Sequence, residues 1–112
     1  MQPNLATTFA ALGDPTRLAI LQRLLAEGER TVGEIAKDCP MSLPAVSRHI
    51  QVLEKAGLIE RRVRRQWRVC RARPQALEMV ADWVEVQRAF WTASLDRLDE
   101  MLTRQHPDAK KD

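Results

Sequence analysis

The chain has 112 residues, of which 45% are hydrophobic, and a formal net charge of +3. This length has room for one domain, and no internal repeat indicates a second. No stretch approaches the roughly 18 consecutive apolar residues of a membrane span, and no signal-peptide pattern is present, which excludes a membrane-spanning protein and predicts a cytoplasmic one. We expect a single domain over residues 1–104 and a flexible C-terminal tail over residues 105–112.

Residues that carry catalysis or bind metals are sparse. The two cysteines, Cys39 and Cys70, form neither a disulfide framework nor a paired metal motif, so free thiols are expected in a reducing compartment. The sequence contains no glycine-rich phosphate loop and no Cys, His and carboxylate cluster at ligand spacing. We therefore expect no enzyme activity, no cofactor and no bound metal.

Positive charge is concentrated in the first two-thirds of the chain. Residues 1–74 carry 13 Lys and Arg against 7 Asp and Glu, a net +6, whereas residues 75–112 carry 5 against 8, a net −3. Residues 61–73 contain seven arginines and no acidic residue. This distribution indicates a nucleic acid as the partner of the basic part.

Three helices are predicted before the middle of the chain. The first, residues 4–12, follows from helically spaced apolar residues. The second begins at the Asp14-Pro15 pair, because Asp caps a helix well and Pro is tolerated in the first turn. The third begins at a capping box whose N-cap is Thr31, and Pro40 ends it.

A fourth helix, residues 42–57, is predicted to have one buried side and one side that contacts DNA. Ser42 is a good N-cap, and Gly57 can supply the left-handed residue that ends a helix. The apolar stripe at i, i+4 and i+7 consists of Val46, Ile50 and Leu53. The opposite polar face has no acidic residue and consists of Pro44, Arg48, Gln51 and Lys55, with Ser47 on its flank.

This polar face suits recognition of base pairs. Arg and Gln side chains make bidentate contacts to guanine and adenine edges in the major groove, while Ser and Lys suit phosphates. A solvated helix face is the alternative interpretation. Because only a short connection separates the third helix from the fourth, the pair is predicted to form a helix-turn-helix with the fourth helix as its recognition helix.

After the fourth helix the apolar period changes from 3.6 to 2. Residues 58–63 and 67–72 are predicted to be the two strands of a hairpin, the wing of a winged helix. The turn, residues 64–66, lacks the Gly or Asn that two-residue hairpins favour, so a longer and mobile loop is expected. Its arginines are expected to contact phosphates, with the minor groove as the alternative.

From residue 74 to about residue 103 the helical period returns, which predicts a helix of roughly 45 Å. One seam of this helix is apolar except for Gln87, and it consists of Leu77, Val80, Val84, Gln87, Trp91, Leu95, Leu98 and Leu102. Trp83 and Phe90 broaden this seam beyond what one small core can cover. A subunit interface is therefore predicted, with packing on the same chain as the alternative.

Three blocks of the sequence resemble the ArsR/SmtB family of bacterial winged-helix repressors. They are residues 9–21 (FAALGDPTRLAIL), 42–50 (SLPAVSRHI) and 53–59 (LEKAGLI). The resemblance covers nearly the whole chain. It implies a homodimer held by the first and last helices, and a repressor in which Ser47, Arg48 and Gln51 face DNA.

Metal sensing does not transfer with the resemblance. In the metal-responsive members a Cys-x-Cys pair opens the third helix, and the matching positions here are Thr31 and Gly33, neither of which binds a soft metal. Another site in the family uses Asp and His on the last helix, where this chain has no histidine before His106. The resemblance therefore implies a branch without the known metal ligands, regulated by its own concentration or by an unknown small-molecule inducer.

The cysteines leave a second interpretation open. Cys39 is interpreted as a buried structural thiol. Cys70 lies on the second wing strand among arginines, which predicts a lowered pKa and a reactive thiolate. A redox-switched repressor that uses Cys70 or Cys39 is thus an alternative function. His49, on the flank of the recognition helix, is interpreted as a packing or phosphate-contacting residue.

The sequence as a whole predicts a DNA-binding transcriptional regulator, a homodimeric repressor or autorepressor of an inverted-repeat operator. A winged-helix module that binds another protein instead of DNA is a further alternative, and it predicts a neutral or acidic recognition face. The expected fold is mainly α with a small β-hairpin, in the order α-α-α-α-β-β-α. The expected DNA-binding residues are Ser42, Pro44, Ser47, Arg48, Gln51, Lys55, Arg62, Arg64 and Arg65. The expected dimer-interface residues are Leu5, Phe9, Val80, Trp83, Val84, Gln87, Trp91, Leu95 and Leu98.

Overall fold

The computed structural model describes residues 4–105. They divide into two compact units, the first ending at Met79 and the second beginning at Val80. The expected tail, residues 105–112, lies outside the described residues except for Gln105, which is the last residue of the final helix.

Four helices of the first unit begin where the sequence predicts. They are α1 (Leu5–Leu12), α2 (Pro15–Glu27), α3 (Val32–Lys37) and α4 (Leu43–Lys55). Each N-cap side chain accepts a hydrogen bond from a backbone N–H of the first turn, which satisfies a donor that the helix leaves without a partner; the N-caps are Asn4, Asp14, Thr31 and Ser42. The predicted capping box is present, since Thr31 and Glu34 exchange side-chain-to-backbone hydrogen bonds of 2.9 and 3.1 Å.

The end of α3 differs from the prediction. The helix ends at Lys37, three residues before Pro40, and the N–H of Asp38 caps the last carbonyls. The residues that follow form the turn to α4, so the predicted helix-turn-helix is confirmed with a slightly longer connection.

The sheet has three strands rather than the predicted two. They are β1 (Arg30–Thr31), β2 (Ile59–Arg64) and β3 (Trp67–Ala72), all antiparallel, in the order β1-β3-β2. The hairpin of β2 and β3 is the predicted wing. The sequence missed β1 because two residues cannot display an alternating pattern, and because their pairing with Val69 and Cys70 joins distant parts of the chain.

The expectation of a long loop at the wing tip was wrong. Arg64 pairs with Trp67, so only Arg65 and Gln66 lie in the turn. Arg65 has φ 60°. A positive φ at the first of two loop residues is the pattern of a type II′ turn, which normally has Gly at that position. The tight turn is therefore made by placing an arginine in the left-handed region.

The core of the first unit is built around α4, which contacts α1, α2, α3 and β2. Its predicted stripe is confirmed, since Val46, Ile50 and Leu53 are 0% exposed. Leu58 and Ile59 continue this core at 0% and 1% exposure. Full burial of one such side chain stabilises a fold by about 1.5–3 kcal/mol, so the position of α4 is strongly fixed.

The last helix, α5, spans Gln75–Gln105. Its first turn belongs to the first unit, where Ala76 is buried in the core. The remainder, from Val80 onward, forms the second unit as one continuous helix. Within residues 4–105, every helix is either too short or too polar to span a membrane.

Candidate nucleic-acid interface

The outward side of α4 carries the predicted polar face. Arg48, Gln51 and Lys55 are exposed. Within residues 4–105, neither Arg48 nor Lys55 forms an ion pair with the chain. At the N-terminal end of the helix Ser42 and Pro44 are also exposed, while Ser47 is half-buried. The helix thus presents uncompensated positive charge and an amide to solvent.

Arg17 fixes α4 to the preceding helices. Its Nε donates to the carbonyl oxygen of Ala11 at 2.7 Å, and a second guanidinium nitrogen lies 3.3 Å from the carbonyl oxygen of Ala10. A third nitrogen lies 3.3 Å from Nδ1 of His49 on α4. Since a guanidinium only donates hydrogen bonds, Nδ1 is the acceptor. His49 is therefore half-buried and packs against Arg17, which agrees with the first of the two interpretations offered by the sequence.

Asp14 completes this junction. Its carboxylate accepts a hydrogen bond from the backbone N–H of Arg17 at 3.0 Å, and this bond holds the pKa of Asp14 below its usual value, with a smaller contribution from the charge of Arg17. Because the pKa is lower in the folded state, the resulting stability is present above the ordinary carboxyl pKa and is lost as the pH falls through the folded-state value.

The wing arginines differ in their partners. Arg62 Nε lies 2.9 Å from a carboxylate oxygen of Glu60, and Arg64 forms an ion pair with Glu29. Arg65 is exposed and forms no ion pair within residues 4–105. Exposed ion pairs contribute about 0–1 kcal/mol each, so phosphates can compete for Arg62 and Arg64.

The sequence did not single out Trp67 as a surface residue. Trp67 is 58% exposed at the start of β3 and borders a surface cavity of about 420 Å³ together with Arg64 and Arg65. Because side chains alternate along β3, Trp67 and Val69 lie on one side of the sheet and the buried Cys70 lies on the other. The alternating pattern in the sequence predicts that Trp67 and Cys70 lie on opposite sides, but it does not tell which of the two sides is exposed to solvent.

The Arg65 turn gives a testable pair of variants. We expect Arg65→Gly to be more stable than Arg65→Ala by about 1 kcal/mol, because only Gly adopts a positive φ without steric cost. Thermal or urea unfolding of the two variants measures this difference. Equal stabilities would contradict the turn geometry.

The same two variants test the role of the wing charge. Both remove one cation, so both should weaken binding to specific and random duplexes alike and should lower the slope of log affinity against log salt by about 1. Fluorescence anisotropy at several salt concentrations provides the measurement. A loss confined to the specific duplex would argue against a phosphate contact.

The predicted reactivity of Cys70 is corrected by the structure. Cys70 is 0% exposed, and burial raises the pKa of its thiol despite the nearby charge of Arg61. A buried thiol with a raised pKa is inert. Cys39 is only half-buried, and its Sγ donates to the carbonyl oxygen of Ile35 at 3.3 Å.

We therefore expect Cys39 to react with a disulfide reagent at least roughly tenfold faster than Cys70, which must wait for local opening of the core. Thiol titration of the native protein should show a fast phase that Cys39→Ser removes and Cys70→Ser retains. If Cys70→Ser alone removed the fast phase, the burial of Cys70 would be refuted.

No group of three or more His, Cys, Asp and Glu side chains in the described part of the chain is arranged to hold a metal ion. The positions that match the family's Cys-x-Cys pair, Thr31 and Gly33, lie at the start of α3. The hydroxyl of Thr31 accepts the hydrogen bond of the capping box.

The predicted interface residues lie on two helices in different units. Leu5 is half-buried and Phe9 is 41% exposed on α1. On α5, Val80 and Gln87 are half-buried, and the other predicted residues are between 39% and 62% exposed; these are Trp83, Val84, Trp91, Leu95 and Leu98. Val86, Phe90, Met101 and Leu102 of α5 are also large, apolar and exposed.

The helix-turn-helix, its cationic outward face and the arginine-rich wing together define a winged-helix DNA-binding regulator. A family model described as a helix-turn-helix domain matches residues 12–62. An HTH-type transcriptional regulator of Mycobacterium tuberculosis is 39% identical over 100 residues, which cover 89% of this chain and 90% of that protein.

Solved structures agree with this class. An ArsR-like transcriptional regulator from Rhodococcus sp. RHA1 is 29% identical with a TM-score of 0.76, over 86% of this chain and 90% of that one. A winged helix-turn-helix domain of a possible ArsR-family regulator from Mycobacterium bovis, described as homodimeric, is 33% identical with a TM-score of 0.57, over 78% and 77% of the two chains. The chain belongs to the ArsR/SmtB family of winged helix-turn-helix transcriptional repressors.

Proposed function

We propose that two copies of the chain bind one inverted-repeat operator and repress transcription, each copy reading one half-site with α4. The observation that carries this proposal is the division of α4 into two sides. One side is fully buried through Val46, Ile50 and Leu53, and the other exposes Arg48, Gln51 and Lys55 without an acidic neighbour on that face.

The residues of the α4 face divide by the contacts their side chains can make. Arg48 suits the O6 and N7 atoms of guanine, and Gln51 suits the N6 and N7 atoms of adenine. Lys55 carries a point charge that suits a phosphate, and the short hydroxyls of Ser42 and Ser47 suit a phosphate or a base edge. Pro44 lies in the first turn, where an apolar contact with a thymine methyl is available.

The wing supplies contacts that do not depend on sequence. Arg62, Arg64 and Arg65 are exposed on the hairpin of β2 and β3. Their contacts to phosphates would fix the register of the protein on the duplex. The affinity should therefore fall steeply with salt, because each phosphate contact releases counterions.

The exposed apolar side of α5 supports the dimer. Trp91 and Phe90 are 62% and 61% exposed, and Leu95 is 59% exposed. Aromatic side chains are enriched at subunit interfaces because each buries a large area at low entropic cost. The similar Mycobacterium bovis domain is described as homodimeric. A two-fold symmetric dimer matches an inverted repeat, with half-sites about 34 Å apart.

A fluorescence-anisotropy titration tests this proposal. The protein is titrated onto DNA from upstream of its own gene and onto a random duplex of equal length, with and without zinc and a mild oxidant. We expect binding to the specific duplex to be at least about 10³-fold tighter. Indifference to both additives would support a metal-independent repressor, whereas equal binding to both duplexes would overturn the proposal and favour a protein-interaction module.

The titration with a mild oxidant tests the remaining alternative function, a redox-switched repressor. Because Cys70 is buried, a mild oxidant is expected to act first at Cys39. An affinity that falls on oxidation in the wild type but not in Cys39→Ser would establish a redox switch. Equal affinities with and without oxidant would exclude it.

A further inference from the structure

A cavity of about 490 Å³ lies between the C-terminal end of α2 and the face of the wing. Leu24, Leu25 and Val69 supply an apolar wall, and Arg62, Arg64 and Arg71 supply cationic groups. The volume falls within the roughly 300–1,000 Å³ of small-molecule sites. Because Leu24 and Val69 are themselves buried, Leu25 supplies most of the exposed part of this wall, and the rest of the lining is rich in charged groups. All lining residues belong to the first unit.

The charges around this cavity do not balance. Arg62 and Arg71 both approach the same carboxylate oxygen of Glu60, at 2.9 and 3.2 Å, and Arg64 is paired with Glu29. Three guanidinium groups thus face two carboxylates, which leaves one net positive charge. A ligand with a single negative charge would complete the neutralisation.

We propose that this cavity binds an amphipathic monocarboxylate and that the bound ligand lowers affinity for DNA. The apolar body would contact Leu25 on α2, and the carboxylate would pair with the wing arginines. The proposal rests on the proposed function, in which Arg62 and Arg64 contact phosphates. A carboxylate bound to those two arginines competes with the phosphates for the same donors.

The coupling follows from shared residues and needs no change of fold. A ligand that uses Arg62 and Arg64 must weaken DNA binding, and DNA must weaken ligand binding by the same factor. Arg71 lies in the cavity but outside the proposed DNA contacts. A substitution of Arg71 should therefore weaken ligand binding without directly affecting DNA binding. Leu25 is a second position suitable for a test variant. Because its side chain is 48% exposed, a polar replacement there should leave the core intact.

The test uses octanoate as the probe and 1-octanol as its neutral match. Isothermal titration calorimetry on the full chain should show one octanoate site per protomer and at least tenfold weaker binding of 1-octanol. Arg71→Gln and Leu25→Glu should each weaken octanoate binding at least tenfold. Arg88→Gln, which removes an exposed arginine from α5, should leave it unchanged.

Equal binding of octanoate to the wild type, Arg71→Gln and Leu25→Glu would place the ligand elsewhere, for example on the exposed apolar side chains of α5, and would overturn the proposal. Absence of octanoate binding to the wild type, or equal binding of 1-octanol, would overturn it as well.

Operator affinity measured with and without octanoate tests the coupling between ligand binding and DNA binding. Octanoate at a concentration that just saturates the wild type should raise the apparent Kd of the wild type for the operator by on the order of tenfold. The same concentration leaves the site of Arg71→Gln mostly empty and should have a much smaller effect on its operator affinity. Octanoate that binds in the cavity without changing operator affinity would overturn the regulatory part. If the protein binds no operator at all, the proposed function fails, while the calorimetric arm still decides whether the cavity is a carboxylate site.

Discussion

Replacing Trp91 by Asp is expected to convert the dimer into a monomer and to lower operator affinity by about 10²–10⁴-fold, because a monomer loses the advantage of binding two linked half-sites. Trp91 is 62% exposed in the single chain and lies in the middle of the apolar seam of α5. A carboxylate at that position would be buried without a partner in the dimer, which is strongly unfavourable. Light scattering gives the mass, and anisotropy gives the affinity.

Thr92→Asp is the matched control for this experiment. Thr92 is exposed, and at 100° per residue it lies about 100° around α5 from Trp91 and about 200° from Phe90. The substitution adds the same charge on the polar side, where Thr92 shares a shallow surface depression with Glu85 and Arg88. This variant should remain a dimer with unchanged operator affinity. If the Trp91→Asp protein remained a dimer, the interface would have to lie on another surface.

Removing the Arg48 side chain is expected to cost about 1–3 kcal/mol of specific binding and to relax the base preference at one position of each half-site. Arg48 is exposed on α4 and has no ion-pair partner within residues 4–105, so the substitution leaves no carboxylate behind. The stability of the fold should change by less than about 0.5 kcal/mol, as for surface substitutions away from special features. Gln51→Ala should have an effect of the same kind at a neighbouring base pair.

Arg48→Lys separates charge from geometry. Lysine keeps the positive charge but lacks the planar guanidinium that makes two parallel hydrogen bonds to guanine. We expect Arg48→Lys to bind random DNA as well as the wild type does, with an unchanged salt slope, and to lose specificity as Arg48→Ala does. Equal losses of Arg48→Ala on specific and random duplexes would refute a base contact and leave Arg48 as a phosphate contact.

The parts of the fold that local chemistry determines were predicted well from the sequence. Asp14, Thr31 and Ser42 act within one helical turn, and each caps a helix where the sequence indicates. The buried stripe of α4 was also predictable, because a helical period of 3.6 turns three apolar positions to one side. Both signals depend on residues that are close together along the chain.

The parts that depend on distant residues were not predictable. Arg30 and Thr31 become a strand only because β3 lies beside them, and their own sequence favours no particular structure. Arg65 adopts a left-handed conformation because the pairing of Arg64 with Trp67 leaves no room for a longer loop. In both places long-range pairing outweighs local preference.

The pKa of the Cys70 thiol was also not predictable from the sequence, because it depends on residues that are distant along the chain. Its neighbours in the sequence include several arginines, which predicts a lower pKa. In the fold the thiol points into the core, and the cost of burying a thiolate outweighs the attraction of Arg61. The cavity beside the wing was equally hidden from the sequence, because Leu24 and Arg71 come from elements far apart along the chain.

Hydroxyl-radical footprinting of the operator upstream of the chain's own gene tests the central claim most directly. Two copies that read an inverted repeat through α4 should protect two segments related by a two-fold axis, with centres about 10–10.5 base pairs apart or a multiple of that spacing. The protection should weaken at both segments together in Trp91→Asp. A single protected segment, or uniform protection that random DNA reproduces, would contradict the account.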